Sequence, residues 1–202
     1  MTAIPEPSES SKSSLPGVDH LLTITEYAEL GEPESGYTEL LEGRLLMSPS
    51  PGPGHNIALF ELYLQVKPQL PRQLIAVPDI DVDLELAPLG APATARRPDL
   101  VVVERAAVRR VDREGGLLKA SDVRLVVEIV SPGSTRTDNV DKRGEYADAG
   151  IPHYWIVDIT EPASLVACHL AGEFGYQDGG AVTGEFVTHD PFAVRVNLDA
   201  LL

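Results

Sequence analysis

A chain of 202 residues, 43 % of them apolar, can bury one good core and carry a tail, but it is short for two independent domains. Its formal net charge of −15 argues against broad, non-specific affinity for nucleic acid, and a single cysteine, Cys168, excludes an internal disulfide framework. No run approaches the roughly 18 apolar residues of a membrane span, and the opening MTAIPEPSESSKSSLPG lacks the basic start and apolar stretch of a secretory signal, so a soluble, cytoplasmic protein is expected.

Residues 1–18 are rich in Ser and Pro and read as a disordered tail ahead of one domain over 19–202. Thr23 with Glu26 three residues on has capping-box spacing and opens a short helix to about Leu30. Residues 37–47 read as two short strands hinged at Glu42-Gly43, and the Pro/Gly stretch 48–54 as a loop. A largely apolar, buried helix is expected from about His55 to Leu70. In residues 78–86, Ile80, Val82, Leu84 and Leu86 alternate with Asp79, Asp81, Asp83 and Glu85, which predicts one strand with an acidic face. Alternating acids on a strand project in parallel, so a solvated face is expected there rather than a calcium site.

The runs 98–103 and 123–130 are short, β-branched and nearly continuous, the pattern of central strands covered on both faces. Ser131 to Thr135 reads as a turn, and Asp138 to about Ala149 as a helix stopped by Gly150. His153–Asp158 is then another central strand, with Tyr154 and Trp155 as core, and Ser164–Leu170 an outer one that takes in Cys168, half-buried and unreactive. The Gly-broken remainder reads as edge hairpins. One mixed sheet with a crossover helix, an α/β fold, satisfies this order.

Glu128 is the most informative residue. A carboxylate inside a strand that otherwise reads as sheet interior must be paired, protonated or bound to a cation, because burying it alone costs several kcal/mol at least. Asp99 opens the preceding apolar strand behind Pro98, and if the two strands pair, both carboxylates can share one face. Hard oxygen ligands favour magnesium or manganese, whereas five scattered histidines and one cysteine do not suit zinc. Lys142 follows on the next helix, where Asp138, Lys142 and Tyr146 form a stripe at i, i+4 and i+8. Lys142 could stabilise charge on a phosphate; taken alone, it reads as a solvated pair with Asp138. The segment from Arg96 to Arg143 holds eleven Lys/Arg against eight Asp/Glu, while the rest of the chain carries −18. That local excess of base is compatible with a phosphate-facing surface.

Glu42-Gly43, His55, Arg97-Pro98-Asp99, Glu128-Ile-Val-Ser-Pro132 and Asp138…Lys142…Tyr146…Gly150-Ile-Pro-His-Tyr-Trp-Ile-Val-Asp158 together resemble the Uma-two family of the PD-(D/E)XK nuclease superfamily, over about residues 24–175. The resemblance implies a restriction-endonuclease-like mixed central sheet flanked by helices, with added hairpins. It implies Asp99 and Glu128 as catalytic metal ligands, and Glu42 as a further metal contact, although a polar residue at a hairpin turn is the plain alternative. The superfamily's lysine falls at residue 130, which here is Val, so Lys142 from the following helix is implied in its place. His55, Asp138 and Tyr146 are possible supporting residues. The implied function is a Mg2+- or Mn2+-dependent endonuclease cleaving DNA; a two-fold homodimer is expected besides, because duplex cutting needs two symmetry-related sites and the end hairpins expose edges that a partner could cover. Two alternatives stand beside it: a non-catalytic nucleic-acid or protein binding module that retains the fold, and a hydrolase acting on other phosphate esters.

Overall fold

The structure, a computed structural model, describes residues 19–31, 33, 36–48, 50–130 and 136–202, and only the backbone of 136–139. The expected tail 1–18, the expected turn 131–135 and the Asp138 side chain lie outside the described residues. In chain order the elements are α1 (Ile24–Glu29), β1 (Tyr37–Leu41), β2 (Arg44–Ser48), α2 (Pro53–Val66), β3 (Leu74–Pro78), β4 (Val82–Asp83), β5 (Ala95–Arg96), β6 (Leu100–Glu104), α3 (Arg105–Glu114), β7 (Leu118–Lys119) and β8 (Val123–Val130). They continue with α4 (Arg136–Asp148), β9 (His153–Asp158), β10 (Ser164–Leu170), β11 (Tyr176–Thr183), β12 (Glu185–Thr188) and β13 (Val194–Asn197).

Six strands form the central sheet in the order β11-β10-β9-β8-β6-β3, in which only β8 and β9 run parallel. A parallel pair needs a crossover, and α4 supplies it. Gly150, at φ 74°, ends that helix in a Schellman motif: its N–H donates to Ala147 O and that of Ile151 to Tyr146 O. This closure, with Ile151 buried, fixes how α4 lies across the sheet. A second sheet, β2-β1-β5-β4-β7, stands beside the first. Its β1–β2 turn takes positive φ at both Glu42 (48°) and Gly43 (79°), and a Cβ at Gly43 would lie 2.8 Å from that of Leu21, so only glycine fits.

The core lies on both faces of the central sheet. Leu100, Val102, Leu125, Val127 and Trp155 meet Ala58, Leu62 and Val66 of α2 on one face, and Val101, Val103, Val126 and Tyr154 meet Ala107, Tyr146 and Ile151 on the other. Both runs expected as central strands are therefore central, with Leu100–Val103 fully buried. The capping box at Thr23 and Glu26 is formed. Cys168 is buried rather than half-buried, and burial pushes its thiol up to about 11. No helix among the described residues is long and apolar enough to cross a membrane.

Several elements differ from expectation. Residues 78–86 are not one strand: Asp79 and Glu85 both sit at φ 54°, and the chain turns out of the central sheet after Pro78 to make only two residues of β4 in the other. Val82 and Leu84 are buried, but Leu86 is exposed. The strand β3 and the helix α3 were not anticipated. The helix is Arg-rich and buries only Ala107, with Val108 and Val111 packed beside it, so its apolar stripe is narrow. The helix expected over 55–70 ends at Val66 in a single 3-10 turn. The closing hairpin β12–β13 is a core element rather than an edge, with Phe186 edge-on to Trp155 at 5.1 Å.

Candidate active site

The antiparallel register pairs Leu100 with Val127, so one further step sets Asp99, just before β6, opposite Glu128 on β8. The Asp99 Oδ2 atom accepts the Ile129 N–H at 2.6 Å, and its Oδ1 lies 3.1 Å from His55 Nε2 in the first turn of α2. Glu128 Oε1 accepts from Lys142 Nζ at 3.0 Å and from the Tyr146 hydroxyl at 2.7 Å. The expected residues Asp99, Glu128, Lys142, Tyr146 and His55 are thus brought to one end of the central strands. Asp138 cannot be placed there, since its side chain lies outside the described residues.

Glu42 is not brought in. It is exposed at the β1–β2 turn, donating its N–H to Thr94 Oγ1. The acid that the first hairpin contributes is Glu39, only 3 % exposed, whose Oε1 lies 3.3 Å from Lys142 Nζ and accepts the Arg97 N–H at 3.1 Å. Its Oε2 accepts from Arg96 at 2.9 Å, and Arg96 in turn makes a bidentate pair with Glu145 of α4, at 2.6 and 2.7 Å. None of Glu39, Arg96 and Glu145 was singled out from the sequence. A signal for Glu39 did exist, because it is a carboxylate in a short strand followed by Leu40-Leu41, the same anomaly that marks Glu128. Lys142 is correspondingly not a solvated helix residue; its side chain is largely shielded and its ammonium lies between two buried carboxylates.

The electrostatics follow from this crowding. Burial pushes Glu128 up, to about 7, with Asp99 adding to the effect and Lys142 opposing it. Burial also works against the charge on Lys142, but Glu128 and Glu39 together outweigh it and its pKa is raised. One ammonium faces two acids, so the lysine stays charged and Glu128 is the group that yields. His55 is raised by its bond to Asp99, against burial. Tyr146 is raised well above the phenol range by burial and by Glu128, and acts as a donor only.

Around this point the carboxylates of Glu39, Asp99, Glu128 and Glu145 meet Lys142, Arg96 and the His55 imidazole. The all-oxygen donor set at Asp99 and Glu128 fits a small hard divalent ion. Among the described residues no three His, Cys, Asp or Glu side chains form a metal-binding cluster. Two carboxylates with water completing the shell is the arrangement magnesium commonly takes, and it needs no third protein ligand.

No curated protein matches the sequence. The chain is similar in structure to a solved protein described as a "putative nuclease belonging to DUF820" from Anabaena variabilis ATCC 29413, with a TM-score of 0.63 and 19 % identity over 89 % of this chain and 97 % of that one. At that identity the likeness speaks for the fold alone, a mixed α/β architecture with helices flanking the sheets. The sequence itself matches Uma2, described as "putative restriction endonuclease", over residues 24–198. Since that match takes in all but the ends of the chain, this protein belongs to the Uma2 family.

Proposed function

We propose that the protein is a metal-dependent endonuclease that hydrolyses phosphodiester bonds in DNA, with Asp99 and Glu128 as metal ligands and Lys142 as the phosphate-facing cation. The observation that carries this reading is the meeting of Asp99, Glu128 and Lys142 at one end of the central strands, with Lys142 reaching Glu128 from α4 in place of a lysine at Val130. A magnesium or manganese ion bound there would lower the pKa of a water molecule and neutralise charge on the scissile phosphate. The protein's own residues do the rest. The Ile129 N–H and His55 hold the Asp99 carboxylate in one orientation, and Tyr146 does the same for Glu128. Lys142 presents a permanent positive charge to the developing phosphorane. Nicking of supercoiled DNA in Mg2+ or Mn2+, abolished by chelation, tests the reading.

One observation favours a non-catalytic module: the Lys142 ammonium already sits on Glu128 and partly satisfies it without a metal. Calorimetry separates the two, because a module of that kind binds its partner with no dependence on divalent ions.

The Glu128 shift gives a pH test. An acid whose folded pKa is raised contributes stability that is present below its unfolded value, about 4.5, and is lost as pH rises through about 7. The metal-free protein is therefore expected to lose thermal stability between about pH 5 and 8, and the upward shift in Tm on adding Mn2+ to grow over the same window, since metal must compete with the proton. A Mn2+ shift that is constant from pH 5 to 8 would remove Glu128 from the ligand set.

For the dimer expected for duplex cutting we propose a seat on α2. Helix α2 buries Ala58, Leu62 and Val66 yet leaves Ile57, Phe60 and Leu64 exposed at i, i+3 and i+7, Phe60 at 60 %. The exposed strip of Asn56, Ile57, Phe60, Leu64 and Lys67 is mainly apolar, with one acid on the same face, the partly exposed Glu61, one turn from both Ile57 and Leu64. A cavity of about 400 Å3 opens beside Phe60, lined also by Asn56, Leu59, Tyr63, Pro78 and Asp79, and a two-fold axis across α2 would let each copy's Phe60 fill the other's cavity. Sedimentation at tens of micromolar is expected to give twice 21.7 kDa for the wild type and 21.7 kDa for Phe60→Glu. A wild type that stays at one chain's mass removes the proposal.

A further inference from the structure

We infer that Glu39 is a positioning residue for Lys142, so that the β1–β2 hairpin is a working part of the active site. The inference rests on the nuclease reading above and deepens it.

A lysine placed on a strand, as in the superfamily's usual pattern, has its direction set by the pleat of the sheet. Lys142 instead reaches the site from a helix, on a stem with four rotatable bonds, and something must aim it. In the metal-free protein two carboxylates do so, Glu128 at 3.0 Å and Glu39 at 3.3 Å. They are not equivalent once a cation is bound. A divalent ion on Glu128 takes charge from the carboxylate that Lys142 leans on, and it repels the ammonium from the same side. Glu39 then becomes the anchor that keeps the ammonium within reach of the site.

Glu39 is built for that role. Both of its oxygens are engaged by groups that cannot follow Lys142: Oε1 by the Arg97 N–H, and Oε2 by Arg96. Arg96 is gripped at two points by Glu145, which lies three residues beyond Lys142 on the same helix. The contacts close a ring from α4 through β5 and β1 and back to α4, and the ammonium of Lys142 is the member that faces Glu128. A ring whose only purpose was to pin the hairpin to α4 would be complete at Glu39–Arg96–Glu145. The additional contact from Glu39 to Lys142 is what extends it to the catalytic acid.

The experiment compares wild type, Glu39→Gln, Lys142→Met and the double variant in Mn2+. For Glu39→Gln the expected results are a Mn2+ affinity by calorimetry within about threefold of wild type, an unchanged KM for DNA, and a kcat lowered by about 10- to 100-fold, the scale on which misplacing a reacting group is felt. In the Lys142→Met background the Glu39→Gln change is expected to add no further loss, because its effect runs through the lysine. Glu39→Asp, which keeps the charge, should recover part of kcat. Crystal structures give a reading independent of turnover: in Mn2+-loaded Glu39→Gln the Lys142 ammonium should have left its place beside Glu128, and in the wild type it should not. An additive loss in the double variant, or an ammonium that stays in place without Glu39, overturns the inference. Absence of cleavage by the wild type would instead overturn the nuclease reading and leave the crystallographic comparison to decide on Glu39. Should Glu39→Gln not fold, Glu39→Asp carries the same comparison, with the ammonium expected to shift with the shortened carboxylate.

Discussion

Glu128→Gln is expected to abolish divalent-cation binding and DNA cleavage together while leaving the protein folded. Glutamine has the same shape, and its carbonyl oxygen can still accept from Lys142 and from the Tyr146 hydroxyl, the two donors that hold Oε1 now. What it lacks is the charge. Loss of even an outer partner at a metal site commonly costs about 10- to 100-fold in affinity, and loss of one of two ligand carboxylates should exceed that. The change also relieves a burial that disfavours the carboxylate, whose pKa stands at about 7. At pH 8 the metal-free variant should accordingly melt no lower than wild type, and its Tm should no longer respond to Mn2+. Calorimetric titration, thermal melts and a supercoiled-DNA nicking assay give the three readings. Wild-type metal affinity in the glutamine variant would move the metal site elsewhere.

Lys142→Met is expected to separate binding from turnover. Removing a donor that stabilises transition-state charge costs about 10²–10³ in rate, and cleavage should fall by that much. Metal affinity should be retained or should rise, since the ammonium now 3.0 Å from Glu128 competes with a cation for the same carboxylate. The fold responds in a way that an exposed i,i+4 pair would not. Lys142 is the shared partner of two buried acids, Glu39 and Glu128, and stripping one member from a buried ion pair commonly costs about 3–5 kcal/mol. Protonation of Glu128 limits that loss, so the destabilisation in urea should be larger at pH 8 than at pH 5, and added Mn2+ should recover part of it. Cleavage unchanged in Lys142→Met would rule out its role at the phosphate. A stability change of only a few tenths of a kcal/mol would show that the buried pairing is not maintained in solution.

By itself the sequence determined the centre of the molecule. The apolar runs of β6 and β8, the stop at Gly150 and the run at His153 could be read because buried central strands and helix ends leave contiguous, local marks. The same holds for Glu128, a charge where local pattern demanded none; Lys142 left no such mark, and only the family resemblance drew it into the site. The elements that escaped have marks that are faint or misleading in one dimension. Helix α3 hides a stripe of Ala107, Val108 and Val111 among arginines. The alternation in 78–86 is genuine, yet the chain there is broken by positive φ at Asp79 and Glu85, because it is passing between two sheets. Only the tertiary structure decided which acid of the first hairpin reaches the site. Glu39 and Glu42 are three residues apart and chemically close. One points inward from a strand to Arg96 and Lys142, whereas the other occupies a turn in water. That choice depends on how the second sheet packs against α4, a contact between segments about a hundred residues apart in the chain, and local periodicity carries no record of it.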